Sequence, residues 1–170
     1  LIRKQMPNAE LHVYGAYPTQ QVLEMNDPSS GFIVKGRAED AFEVIGNARV
    51  LLAPLRFGAG LKGKLLNAMQ CGTPNVTSSI GAEAMHGQLP WNGFIADDAA
   101  EYAEKAVQLY QDEKLWTEAQ QNGSIILKGI FDAGLHSQVF IERLKAIQKN
   151  LTKHRSSNFM GHMLKHHTMR

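Results

Sequence analysis

A chain of 170 residues, 44% hydrophobic and 20% charged, has enough apolar material for one domain with its own core. A formal net charge of +2 excludes a general electrostatic affinity for nucleic acid, and no apolar run approaches the roughly 20 residues of a membrane span. The single cysteine, Cys71, excludes an internal disulfide and suits a reducing, cytoplasmic setting, and no secretory signal is visible.

Short apolar runs alternate with longer segments of helical pattern. Residues 1–6 read as the end of a helix stopped by Pro7 and Asn8, 10–14 as a strand closed by Gly15, and 20–26 as a helix. A strand at 31–35 and a helix at 38–47 follow. Residues 49–55 form a continuously apolar run, the pattern of a strand covered on both faces. The next helix, 61–71, ends at Gly72 as a left-handed cap. Strands are expected at 74–78 and 93–96, then a helix capped by Asp97 and Asp98 and running to Tyr110, and two further helices near 114–127 and 135–151. Such alternation predicts a doubly wound α/β fold, a parallel sheet with helices on both faces, in one domain over 1–151. Ligands in such sheets bind at the carboxyl ends of the strands, which directs attention to the loops after Tyr14, Lys35, Leu55 and Ser78. The segment 152–170 breaks the pattern. Four of the 18 basic residues lie there without an acid, which leaves 14 basic against 16 acidic residues in the remainder. The start at Leu1, without Met and already amphipathic, leads us to expect a piece of a longer enzyme.

The richest segment is Ala53-Pro-Leu-Arg56-Phe-Gly58-Ala59-Gly60-Leu61-Lys62-Gly63-Lys64-Leu65-Leu66-Asn67, which runs from a strand through a loop into a helix. Its glycines let backbone amides approach a ligand, and a helix start supplies free N–H groups and a positive dipole end. Lys62 and Lys64 at that start oppose the dipole, and Arg56 adds a third cation. Three cations at a positive helix end fit an anion such as a diphosphate; the plain alternative is a turn with two solvated lysines. The loop also mimics two phosphate motifs. Residues 58–64 match G-x-x-x-x-G-K, but Leu65 stands where a Ser or Thr would hold magnesium. Gly58, Gly60 and Gly63 match G-x-G-x-x-G with Glu83 20 residues on, but four residues separate the first glycine from its strand and two strands precede it.

From Arg56 to Glu83, through Gly-Ala-Gly-Leu-Lys-Gly-Lys-Leu-Leu-Asn-Ala-Met-Gln-Cys-Gly-Thr-Pro, the sequence resembles the donor-site signature of family 4 (group 1) glycosyltransferases. Leu11-His-Val-Tyr-Gly15, Val34-Lys-Gly36, residues 48–54 and Trp91-Asn-Gly-Phe-Ile95 resemble its other strand ends, so the likeness covers roughly residues 1–130. It implies the donor half of a GT-B enzyme, built of two Rossmann-like domains. The full-length enzyme would move a sugar from a nucleotide diphosphate sugar to an acceptor, with retention, and with no cofactor or metal. Arg56, Gly58, Ala59, Gly60, Leu61, Lys62 and Lys64 would hold the donor diphosphate and Asn67 the ribose, with Gly15 and Glu83 as further candidates. No residue is assigned as catalytic. Two departures stand out. The family's glutamate pair falls on Ala59 and Asn67, and a Gly-Ala-Gly-x-Lys-Gly-Lys subgroup also lacks the first glutamate but retains the second. Glu83 has a second reading as an acid stabilising a helix start. The resemblance further implies that the family's first strand, its Arg- and Lys-bearing loop and an N-terminal acceptor domain lie outside this chain, so that these residues alone are inactive. A cytoplasmic enzyme at the inner face of a membrane, in peripheral contact with it and not with nucleic acid, fits this picture.

Two other classes stay open: a non-catalytic nucleotide-binding or assembly module of the same fold, and an NAD-dependent dehydrogenase resting on the glycine spacing. His154, His162, His166 and His167 crowd the tail, where neighbouring Lys and Arg favour a solvated basic segment over a metal site. His12 and His86 stand alone, and Trp91 and Trp116 read as packing residues.

Overall fold

The computed structural model describes residues 1–158, 160, 161, 163 and 164. It divides into two compact units, Leu1–Ile130 and Phe131–Arg170. The first runs α1 (Ile2–Gln5), β1 (Leu11–Tyr14), α2 (Gln20–Glu24), a 3-10 turn (Pro28–Ser30), β2 (Phe32–Gly36), α3 (Ala41–Gly46), β3 (Leu51–Ala53), α4 (Gly63–Cys71), β4 (Asn75–Thr77), α5 (Ser79–Ala82), β5 (Gly93–Ile95), α6 (Ala99–Gln111) and α7 (Glu113–Ile130).

Local chemistry sets many of these boundaries. Thr19, Asp40, Ser78 and Asp98 accept hydrogen bonds from the first free amides of α2, α3, α5 and α6. Asp40 therefore starts α3 three residues later than the apolar pattern suggests. Of the acidic pair before α6 only Asp98 caps. The Asp97 carboxylate accepts from Ser79 N and Oγ at 2.9 and 3.0 Å, and so ties the end of β5 to the start of α5. Gly72 closes α4 at φ 71°, the left-handed cap read from the sequence.

The strands among the described residues pair in parallel, and helices flank them, as the alternation predicts. They form two hydrogen-bonded sheets rather than one: β1 with β2, and β3-β4-β5 in that order. Central strand β4 is fully buried, whereas β3 is half-buried and shorter than the apolar run 49–55. The cause is Tyr102 of α6. Its hydroxyl accepts from Ala53 N at 2.8 Å and donates to Val76 O at 2.6 Å, so a side chain replaces the ladder where β3 leaves β4. Val76, Ala106, Leu109 and Ala119 form the core beside this sheet, with Ile2, Val50, Leu52, Phe94 and Tyr102 packed on it. Both tryptophans are packing residues, as expected: Trp91 Nε1 donates to buried Asn75 at 3.0 Å and Trp116 Nε1 to Arg49 O at 2.8 Å.

In the second unit α8 (Ala133–Lys149) buries no residue, and Leu135, Val139, Phe140, Ile141 and Leu144 are exposed. Helix α9 (Leu151–Ser156) carries regular structure into the segment where the sequence pattern breaks, and it holds His154. Phe159, His162, Lys165, His166, His167 and Arg170 lie outside the described residues. Among the described residues no helix is long and apolar enough to cross a membrane.

Candidate functional site

The 54–62 loop leaves β3 at the carboxyl end of its sheet and is fastened there by the neighbouring strand. Thr77 Oγ1 donates to Ala53 O at 2.9 Å and Ser78 Oγ to Leu55 O at 2.6 Å. Beyond these anchors Arg56, Phe57, Gly58, Ala59, Gly60 and Leu61 are all exposed. Gly60, at φ 66°, takes the left-handed turn that returns the chain to α4.

Helix α4 begins at Gly63 with Lys62 as its N-cap, without a side-chain cap and without an acid in its first turn. Leu65 N and Leu66 N both donate to Lys62 O, and Lys62 N donates to Met85 Sδ at 3.5 Å. Among the described residues the amides of Gly58, Ala59, Gly60, Leu61, Gly63 and Lys64 have no acceptor. A helix start with free amides, a positive dipole end and no acid is suited to an anion. One expected amide, that of Lys62, is already occupied by the Met85 sulfur.

The three cations differ. Arg56 and Lys64 are exposed, while Lys62 is half-buried. Its Nζ donates to Glu83 O at 3.2 Å, and a Cβ placed on Gly58 would lie 3.9 Å from its Cε. The Lys62 stem thus folds back along the loop. Asn67, half-buried, follows Lys64 by three residues, so the two are neighbours on the surface of α4. The Asn67 side chain has no partner among the described residues.

Glu83 follows α5 as its C-terminal cap, which overturns the reading of it as a helix-start acid. Its carbonyl meets Lys62, and its carboxylate has no partner among the described residues. An open cavity of about 300 Å³ beside it is lined by Ser79, Ala82, Glu83, Ala84, His86, Gly87 and Ile95. There His86 Nδ1 donates to Leu89 O at 2.6 Å, with its ring edge-on to Trp91. A larger hollow on α7, walled by Glu113, Lys114, Thr117, Glu118 and Gln121, shares no residue with the loop. Gly15 directly follows β1 of the other sheet, where its N–H donates to Gly36 O at 2.8 Å, so it lies at a different strand end from Lys62.

Both rival phosphate motifs lose support from this geometry. Leu65 is 1% exposed and belongs to the core, so that position presents nothing to a metal. Gly63 has nothing within 4 Å of where a Cβ would be, whereas the third glycine of a dinucleotide fingerprint permits close helix–strand packing. Ser78 and Met85 support the loop but carry no sequence signal, because their role depends on the segment after β4 meeting the segment after β3.

The sequence matches the family described as "Glycosyl transferases group 1" over residues 1–112. No curated protein matches. Among solved structures, S. aureus TarM in complex with fondaparinux, alpha-GlcNAc-glycerol and UDP is similar at a TM-score of 0.70 and 14% identity, over 83% of this chain and 30% of that one. The pneumococcal O-GlcNAc transferase GtfA in complex with UDP and GlcNAc is similar at a TM-score of 0.57 and 19% identity, over 88% of this chain and 31% of that one. The chain therefore spans less than a third of the length of these structures, and at such identities the likeness is one of fold. Its alternating parallel strands and helices, the glycine-lysine loop that joins β3 to α4 and the match across two thirds of its length make the chain a member of the group 1 glycosyl transferase family.

Proposed function

We propose that the chain is the donor-binding half of a glycosyltransferase, and that the 56–64 loop holds the diphosphate of a nucleotide diphosphate sugar. The observation that carries this reading is the joining of Arg56, Lys62 and Lys64 to a run of unpartnered amides at an uncapped helix start. Charge builds on the leaving diphosphate as the glycosidic bond to it breaks. Fixed cations and amides stabilise that charge without reorganising. Arg56 and Lys62 are assigned this role, and Asn67 the ribose hydroxyls. The acceptor domain comes from the rest of the enzyme, the sugar is transferred with retention, and these 170 residues alone transfer none, because the reacting groups are not brought together. TarM and GtfA, similar in fold, are both seen with UDP, which makes UDP the first nucleotide to try.

A second reading, a binding or assembly module without catalysis, is favoured by one feature: Asn67 stands where the resemblance implies the second glutamate of the pair. Titration of isotope-labelled protein with UDP, GDP and NAD tests both. The donor reading expects a nucleoside diphosphate to shift the amides of 58–65 before any others, and added salt to weaken the binding. Shifts there with NAD alone would hand the site to dinucleotide chemistry. Turnover by the full-length enzyme separates the donor half from the silent module.

A further inference from the structure

Lys62 is held at two points by the turn that follows α5. Its backbone N–H points at the Met85 sulfur, 3.5 Å away, and its Nζ donates to the Glu83 carbonyl at 3.2 Å. Between these two residues Ala84 has φ 59°, and among the described residues it is the one non-glycine on the left-handed side. An alanine does not adopt that conformation for its own sake; the surroundings impose it. Here the reversal lets residues 83 and 85 both reach the same lysine, and the turn is closed by Met85 N donating to Ala82 O at 3.0 Å. Met85 has no exposed surface, so packing fixes the position of its sulfur.

The chemistry of the contact explains its value. Lys62 is the N-cap of α4 and brings no capping side chain. A thioether is a weak acceptor, but it is the one supplied to this amide. We propose that Met85 is a positioning residue of the anion site, acting through Lys62. Its sulfur fixes the backbone of the N-cap, and with it the direction of the Gly63 and Lys64 amides and of the lysine stem. The Glu83 carbonyl holds the ammonium group until a diphosphate takes it. This inference rests on the donor reading above. It adds to that reading a buried apolar residue with no ligand contact, which controls affinity by setting the site before the ligand arrives.

The test is Met85→Leu in the 170-residue chain, read in two ways. Without ligand, exchange of the Lys62 amide with solvent is expected to quicken about three- to tenfold, the net worth of one hydrogen bond, while the amides of core residues Leu109 and Ile126 keep their rates. With UDP, affinity is expected to fall about three- to tenfold. That loss is expected to persist in part in a Lys62→Ala background, which keeps the N–H that the sulfur holds and loses only the stem, and in full in a Lys64→Ala background. A loss of affinity without faster exchange at the Lys62 amide would show that the sulfur acts by general packing, and the proposal fails. It fails alone if UDP binds normally and Lys62 exchange does not change. It fails together with the donor reading if the unaltered chain does not bind UDP. Should leucine disturb the core, seen as faster exchange at Leu109 and Ile126, norleucine in place of methionine removes only the sulfurs and is read at the same amide.

Discussion

Strand β4 and the 54–62 loop lie at neighbouring strand ends of one sheet, yet they dispose of their polar groups in opposite ways. In β4, Asn75 and Thr77 are wholly buried, Asn75 Oδ1 accepts from Trp91 and Thr77 donates to Ala53 O, while the Asn75 Nδ2 is the one donor of this pair with no partner among the described residues. In the loop, Phe57 is 88% exposed, the cations reach solvent or a single carbonyl, and successive amides have no acceptor among the described residues. Donors satisfied inside the protein contribute to stability. Donors left open on a fixed frame are available to a ligand. Changes beside β4 are therefore expected to lower stability and leave ligand affinity alone, and changes in the loop to do the reverse.

The strongest way to press the β4 side is Gly93→Ala. Gly93 pairs with Asn75 at φ 126°, and a Cβ there would run into the Asn75 carbonyl oxygen. Neither partner can move without parting β4 from β5. Strain and overpacking together are expected to cost about 3–5 kcal/mol, read by urea unfolding. The molecules that remain folded keep their UDP shifts in the loop. A cost below about 1 kcal/mol would mean that this sheet is far more pliable than its packing implies.

On the loop side, Lys62→Ala is expected to weaken UDP binding by about 1.5–3 kcal/mol, the range for a hydrogen bond to a charged group. Stability is expected to move by less than about 0.5 kcal/mol, as for most changes away from a core. A lysine needed for folding but not for binding would reverse the comparison at its centre. Calorimetric titration and thermal melting on one preparation decide the point.

Tyr102 sits on the boundary between the two regions, since its hydroxyl joins the last residue of β3 to the middle of β4. Tyr102→Phe leaves Ala53 N and Val76 O unpaired and is expected to cost about 1–3 kcal/mol without a change in UDP affinity. The pH dependence has a definite sign. Burial raises the Tyr102 hydroxyl above its ordinary value of 10.0, with the bond from Ala53 as a smaller opposing influence. The unfolded chain therefore loses this proton first. The stability it confers is intact below about pH 10 and is lost as the pH climbs toward the folded-state value. Tyr102→Phe is expected to flatten that alkaline decline, measured by urea midpoints from pH 8 to 11.

Much of this was legible in the sequence because it was local. Periodicity located the strands and most helices, Gly72 announced its cap, and the glycine-lysine run marked the loop. What escaped depends on partners distant in the chain. The early end of β3 follows from Tyr102, 49 residues on, and the hold on Lys62 comes from Glu83 and Met85, more than 20 residues away. The sequence allows Glu83 to be read as the first acid of a helix, but Ser78 caps a helix of only four residues, which is over before Glu83 is reached. The division into two sheets had no counterpart in the apolar pattern, because a strand buries similar residues whether or not both its edges are paired.

The smallest expected effect is also the most selective probe of the loop. Asn67 is a neighbour of Lys64 on the surface of α4, so it lies near the proposed anion without belonging to the anion-binding set. If it meets the ribose, Asn67→Glu replaces an amide by a carboxylate that accepts from two hydroxyls at once, and UDP binding is expected to strengthen about three- to tenfold. The same carboxylate repels a bare anion, so binding of inorganic pyrophosphate, which has no ribose, is expected to weaken. Opposite signs for the two ligands require a hydroxyl-bearing group beside residue 67 and a diphosphate beside Lys62 and Lys64. Weaker binding of both would place the ribose elsewhere and leave the loop as an anion site alone. Unchanged binding of both would mean that the Asn67 face of α4 looks away from the ligand. A gain in stability from a new acid near the helix start acts on the folded chain with and without ligand, and it leaves the ratio of the two affinities unchanged.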